Sequence, residues 1–128
     1  MTVKQLHSKA WRLLKLRIQK RDFNWRGDGM CITCLKPLKI NTQESHAGHF
    51  IHGKSKLTYY EPINVHYQCR QCNYYGSHKS VRFYERFMQR TYGMEAVEAL
   101  EKKASDTQTW NKKLLETKIK ELDEKRPD

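Results

Sequence analysis

The sequence predicts an α+β fold, mainly helical, on three observations. Residues 3–21 and the stretch from 73 onward carry apolar residues at helical spacing. Short mixed segments suited to strands lie between them, at 46–52 and 63–68. All four cysteines fall in two Cys-x-x-Cys pairs, Cys31/Cys34 and Cys69/Cys72, on either side of the first of those segments. Each pair presents two thiolates from one tight knuckle, and two knuckles complete the tetrahedral sulfur set that zinc prefers. Four thiolates also close the coordination sphere, so this zinc is scaffold and any catalysis needs other residues.

In chain order, Val3, Leu6, Ala10, Leu14 and Ile18 recur every three or four residues, with Trp11 near the same face. That pattern is an amphipathic helix over 3–21. Lys4, Lys9, Arg12, Lys15, Arg17, Lys20 and Arg21 supply most of its other positions, and no acidic residue interrupts them. Such a face meets phosphates or water. Residues 22–29, with Asn24, Asp28 and two glycines, read as a loop leading into the first knuckle. Residues 35–40 are a short strand interrupted by Pro37, or a loop. Residues 46–52 form a strand or hairpin, and 53–61 an exposed basic and aromatic loop.

Residues 63–68 alternate into the second knuckle. A helix follows from Asn73 to about Tyr92 with Val81, Tyr84, Phe87 and Met88 on its apolar face, and Gly93 ends it. A further helix covers 94–103. Ser105, Asp106 and Thr107 offer an N-cap region for the last helix, whose stripe is Trp110, Leu114, Ile119 and Leu122. That stripe is either intramolecular core or a dimer seam.

At 128 residues the chain is read as one domain: a basic helix at 1–21, a zinc-knuckle core at 30–92 and a helical extension at 94–128. Apolar content is modest, so the core is small and a metal staple is a sensible supplement. No apolar run has the length of a membrane span, and the basic N-terminus lacks the apolar stretch of a secretory signal. The expectation is a cytoplasmic protein without a membrane partner, in a compartment that keeps thiols reduced. The formal charge is +11, which four thiolates and a zinc ion would lower by only two. A surplus of that size favours a polyanion through phosphate contacts and counterion release. The candidate contacts are Lys9, Arg12, Lys15, Lys20, Lys54, Lys56, Arg70, Lys79 and Arg82.

A second set of residues carries possible chemistry. His46 and His49 lie between the knuckles, Asn64 precedes the second, Asn73 directly follows it, and His78 lies about one helical turn further on. Hydrolysing a phosphodiester needs a base to activate water and a cation to stabilise the developing charge. A neutral histidine can be that base near pH 7, and oxygen or imidazole ligands at a helix can hold a divalent cation.

The ordered set Cys31-Ile-Thr-Cys34, His46-Ala-Gly-His49-Phe-Ile, Asn64-Val-His-Tyr-Gln-Cys69-Arg-Gln-Cys72-Asn73 and Tyr92-Gly93 resembles the zinc-stapled HNH, or His-Me finger, nucleases with their ββα-metal core. The endonuclease VII junction resolvases are similar in the knuckles and in the Asn after the last cysteine. A nearer resemblance is to the NinG (Rap) recombination proteins of lambdoid phages, and it spans most of the chain. It implies a metal-dependent endonuclease acting on branched DNA, such as Holliday junctions or D-loops, in the host cytoplasm. By position, His49 is then the general base, Asn73 a ligand of a catalytic Mg2+ or Mn2+ with His78 or His46, and Asn64 the brace of the hairpin that orients His49. The implied products carry 5′-phosphate and 3′-hydroxyl ends.

Two positions depart from these patterns. Many HNH enzymes carry Asp or His before the base, where this chain has Gly48, and the NinG pattern more often has Asp where His46 stands. An imidazole in place of a carboxylate moves the preferred metal toward manganese or another transition ion.

Each residue also has a plainer reading. Asn73 is either a ligand or the cap of the following helix, His49 either the base or an ordinary hairpin histidine, and His46 and His78 either ligands or residues with no part in the site. His52 and His66 are structural or DNA-facing, and His7 is surface. Tyr59, Tyr60, Tyr74 and Tyr75 either stack on unpaired bases or pack the core. The rival for the whole chain is a non-catalytic zinc-knuckle module that binds nucleic acid, and a third reading is an assembly protein joined through the last helix. Symmetric junction cutting calls for a homodimer, and recombination proteins are further possible partners.

Overall fold

The first helix, α1 (Val3–Asp22), starts at a capping box. Thr2 Oγ1 accepts from the Gln5 backbone at 3.1 Å, and Gln5 Oε1 accepts from the Thr2 backbone at 2.8 Å. Leu6, Ala10, Leu13, Leu14 and Ile18 bury its apolar stripe. The structure, a computed structural model, describes residues 1–74 and 78–124, apart from the side chains of His78 and Lys79. The remaining elements are β1 (Asp28–Met30), β2 (Pro37–Lys39), β3 (Ser45–His49), a 3₁₀ turn (Pro62–Asn64), β4 (Val65–Cys69), α2 (Arg70–Tyr74), α3 (His78–Tyr92), α4 (Met94–Ala104) and α5 (Lys112–Glu124). This is an α+β fold, mainly helical, with two small sheets.

Each sheet is an antiparallel pair. β1 and β2 flank the first knuckle, so residues 22–29 hold the start of a ribbon as well as a loop. β3 pairs with β4 in a register that sets His46 opposite Gln68, Gly48 opposite His66 and His49 opposite Val65. Opposed residues share a face. One face turns to α1, where Phe23 meets Tyr67 edge-on with ring centres 4.8 Å apart. The other turns to α3, against which His66 is buried. β4 is therefore buried along its whole length, and its sequence alternation does not mark a solvent face.

A directed hydrogen-bond chain fixes this second face. Burial drives His66 down to about 2, with the Arg21 charge adding to it, so the ring is neutral. Tyr84 Oη donates to the Gly48 carbonyl at 2.7 Å and faces His66 Nδ1 at 3.2 Å, while Tyr92 Oη lies 2.7 Å from His66 Nε2. The consistent tautomer has Nδ1–H donating to Tyr84 and Nε2 accepting from Tyr92. Tyr84 thus holds the β3 backbone directly, and His66 links Tyr92 to it. His66 is structural.

At the end of α1, Arg21 donates to the carbonyls of Pro62 and Val65 at 2.8 and 2.5 Å and pairs with Asp22 at 2.6 Å. Asp22 in turn accepts from the Tyr67 backbone. Arg21 is thus a clasp between α1 and β4, although the sequence groups it with the phosphate-facing charges.

The helices correct the sequence reading in three places. Val81 is 60% exposed, so the apolar face of α3 rests on Tyr84 and Met88 with Phe87 beside them. The last helix begins at Lys112 with Asn111 Oδ1 accepting from the Leu114 backbone, so Asn111 caps it in place of the 105–107 segment. Its buried residues are Leu115 and Leu122, and Leu114 is only half-buried. α5 packs along α1, and Trp110 Nε1 donates to the Lys56 carbonyl at 2.9 Å. The stripe is used within the chain. Among the described residues, no helix is long and apolar enough to cross a membrane.

Candidate functional site

The four cysteine sulfurs all lie within 4.8 Å of one another, and Cys34 Sγ and Cys69 Sγ are 3.7 Å apart. A zinc–sulfur bond of about 2.3 Å places tetrahedral sulfurs about 3.8 Å apart, so the donor set fits one zinc ion. Each knuckle is a local backbone product. Leu35, at φ 67°, donates its N–H to the Cys31 carbonyl, and the Cys72 N–H points at Cys69 Sγ. Burial pushes the Cys31 thiol up, yet backbone N–H groups of Cys34, Cys69 and Thr33 and the Thr33 hydroxyl outweigh it and bring Cys31 to about 6. Cys34 is pushed up to about 12 by burial and by its sulfur neighbours. Thiols this crowded ionise together only around a cation.

His49 ends β3 and is half-buried. Its ring stacks on Tyr59 with centres 4.1 Å apart and lies near-parallel to Trp11 at 5.4 Å. Burial lowers it to about 4, opposed by the bond to Tyr59 and assisted by the charge of His52. The ring is neutral near pH 7. Nε2 lies 2.9 Å from the Tyr59 carbonyl, which can only accept, so Nε2 carries the proton and Nδ1 the lone pair. That is the tautomer of an imidazole available to take a proton.

Asn64, fully buried, spans the loop that returns from His49. Its Oδ1 accepts from the Ile51 N–H at 2.8 Å, and Nδ2 donates to the carbonyls of Ile51 at 3.1 Å and Thr58 at 3.0 Å. Its backbone carbonyl accepts from Phe50. One side chain therefore links the segment after His49 to the segment before Tyr59. Replacing Asn64 with Ala should cost about 2–3 kcal/mol, because the groups it leaves are buried and unpaired. Urea denaturation checks this, and a loss under 1 kcal/mol would show that the loop does not depend on it.

Asn73 lies inside α2, so it is not the N-cap of that helix. Its Nδ2 is 3.4 Å from His46 Nδ1, while His46 Nε2 is 2.7 Å from the Gln43 carbonyl. The carbonyl accepts from Nε2–H, leaving the His46 Nδ1 lone pair toward the Asn73 amide. His49, Gln68, Asn73 and His52 line one cavity of about 210 Å³. His78 opens α3, but its side chain lies outside the described residues, as does that of Lys79.

Arg12, Lys20, Lys54, Arg70 and Arg82 are exposed, while Lys9, Lys15 and Lys56 are half-buried. Lys15 Nζ sits 5.8 Å over the Trp11 ring, on the same patch of α1 that covers His49. The tyrosines divide. Tyr60 is 1% exposed, with its hydroxyl 2.6 Å from His7 Nδ1, and Tyr59 is taken by the His49 stack. Neither is free to stack on a base, and His7 is a packing partner more than a surface residue. Tyr74 is 65% exposed beside His46, and Tyr75 lies outside the described residues.

The sequence reading left Trp11 and Gln68 out of the site and read Gly48 only as a departure from the pattern. A Cβ on Gly48 would lie 1.9 Å from Gln68 Oε1 and 2.8 Å from Asn73 Oδ1. The only advance signal was a polar residue in a strand entering a metal knuckle. Searches among characterised proteins and among solved structures returned no match. The family model described as Bacteriophage Lambda NinG protein matches residues 2–126, nearly the whole chain. The chain belongs to the bacteriophage lambda NinG family.

Proposed function

We propose that the protein is a metal-dependent endonuclease that hydrolyses phosphodiesters in branched DNA during phage recombination, with a ββα-metal core made of β3, β4 and the helices after the second knuckle. The observation that carries this reading is His49: a neutral imidazole with Nε2–H committed to a carbonyl, on one cavity with Asn73, inside a basic chain. In this reading His49 Nδ1 takes the proton of the attacking water, and Trp11 and Tyr59 keep the ring from swinging. Asn64 holds the Thr58 carbonyl, next to the Tyr59 carbonyl that selects the tautomer. Asn73 and His46 would hold a divalent cation in this reading, with His78 a further candidate ligand. Magnesium or manganese bound there would stabilise charge on the phosphate and on the departing 3′ oxygen. Lysines and arginines of α1 and α3 hold the DNA backbone.

A non-catalytic zinc-knuckle binding module is favoured by one observation, the absence of a side chain at Gly48 next to His49. Cleavage of a labelled four-way junction beside a linear duplex of the same sequence, in magnesium or manganese, separates the two. The nuclease reading expects divalent-dependent cutting that prefers the junction. Paired cuts in opposite strands would further support a homodimer. Tight, salt-sensitive binding without cutting in either cation selects the binding module.

A further inference from the structure

We propose that Gln68 is a ligand of the divalent cation, supplying from β4 the oxygen that the residue before the base cannot supply here. This inference rests on the nuclease reading and names a residue of its cation site.

Three observations carry it. Gly48 and Gln68 are on the same sheet face, and the Gln68 side chain has grown into the volume in front of Gly48. Gln68 Oε1 stands 1.9 Å from where a Cβ of residue 48 would be, and Asn73 Oδ1 stands 2.8 Å from the same point. The two amide oxygens are thus no farther apart than the sum of those lengths, a span that two ligands of one cation can share. Any larger residue at 48 would displace both.

The second observation is that the amide is oriented. Gln68 Nε2 lies 3.5 Å from Thr33 Oγ1, and Thr33 Oγ1 lies 3.1 Å from Cys31 Sγ. A thiolate can only accept, so the Thr33 hydroxyl donates to sulfur and accepts from the Gln68 amide. Nε2 is thereby turned to the zinc knuckle, and Oε1 toward Gly48 and Asn73. The third is burial. Gln68 is 4% exposed and lines the cavity that holds His49 and Asn73. A buried amide oxygen at a cavity wall has a use there as a ligand that a surface glutamine does not.

The donor set of Gln68, Asn73 and His46 is neutral. Hard cations bind weakly to uncharged oxygens, so most of the charge must come from the DNA phosphate, and cation and substrate bind together. A carboxylate at position 68 removes that dependence.

The test is Mn2+ titration of the zinc-loaded full chain without DNA, followed by the electron paramagnetic resonance of free Mn2+, with zinc content and circular dichroism as fold controls. Gln68→Glu should bind Mn2+ at least about tenfold tighter than wild type through the added ligand charge, and Asn73→Ala in that background should remove the gain. Wild-type Mn2+ affinity in a zinc-loaded Gln68→Glu chain overturns the inference. If Gln68→Glu fails to hold zinc, Gln68→Met decides, because it keeps the side-chain volume and removes the oxygen. Weaker Mn2+ binding in the zinc-loaded variant supports the site, and unchanged binding overturns it. A chain that cuts no DNA but whose Mn2+ affinity follows residue 68 keeps the site and loses the nuclease. A cutting enzyme whose Mn2+ affinity ignores residue 68 does the reverse.

Discussion

His49→Ala is expected to abolish junction cleavage while leaving zinc content, fold and junction binding in place. A positioned base contributes roughly 10²–10⁴-fold, and the loss should sit in the cleavage rate, because His49 contributes no charge near pH 7. Removing the ring does uncover Trp11 and Tyr59, so a modest drop in melting temperature accompanies the loss. The pH profile provides an independent check. With His49 lowered to about 4, the base is neutral above that value and protonated below it. Cleavage should therefore rise through about pH 4 and carry no histidine limb between 6 and 7, where an ordinary surface imidazole titrates. Single-turnover cleavage against pH measures this. Undiminished cutting by His49→Ala would remove His49 as the base.

The second large effect is on the knuckles. Stripping the zinc with a chelator, or replacing Cys69 with Ser, should abolish cooperative unfolding and with it all DNA-dependent properties. Cys31 and Cys69 are 0% and 2% exposed, and their knuckles join the β1–β2 ribbon to the end of β4. Structural zinc sites bind with apparent free energies of about 10–16 kcal/mol, at least the size of the whole stability of a small domain at about 5–15 kcal/mol. Without the metal, the crowded thiols lose the cation that lets them ionise together. Thermal melts followed by circular dichroism, with zinc stoichiometry alongside, check this. An unchanged melting curve after zinc removal would show that the apolar clusters suffice.

Much of the fold was legible because its signals are local. A Cys-x-x-Cys turn needs four residues to fold, and the helical period of α1 repeats within one element, so each is written in adjacent positions. The strand at His46 and the one entering Cys69 were legible as segments, but their pairing was not. Phase was harder. Leu114 and Leu115 fit the same period within one residue, and only the packing of α5 on α1 chooses Leu115. Val81 likewise has the right spacing but is left largely exposed.

The site divides along the same line. By itself the sequence singled out the four cysteines that could hold zinc, and the resemblance their spacing supports singled out His49, Asn64 and Asn73 as candidates. Only the tertiary structure decided that the Tyr59 carbonyl sets the tautomer of His49, that Arg21 clasps α1 to the start of β4, and that Gln68 fills the space left by Gly48. Those facts depend on strand register and on helices packed across it. A register of two residues per repeat cannot be read from one strand alone, because its partner is chosen by burial elsewhere in the chain.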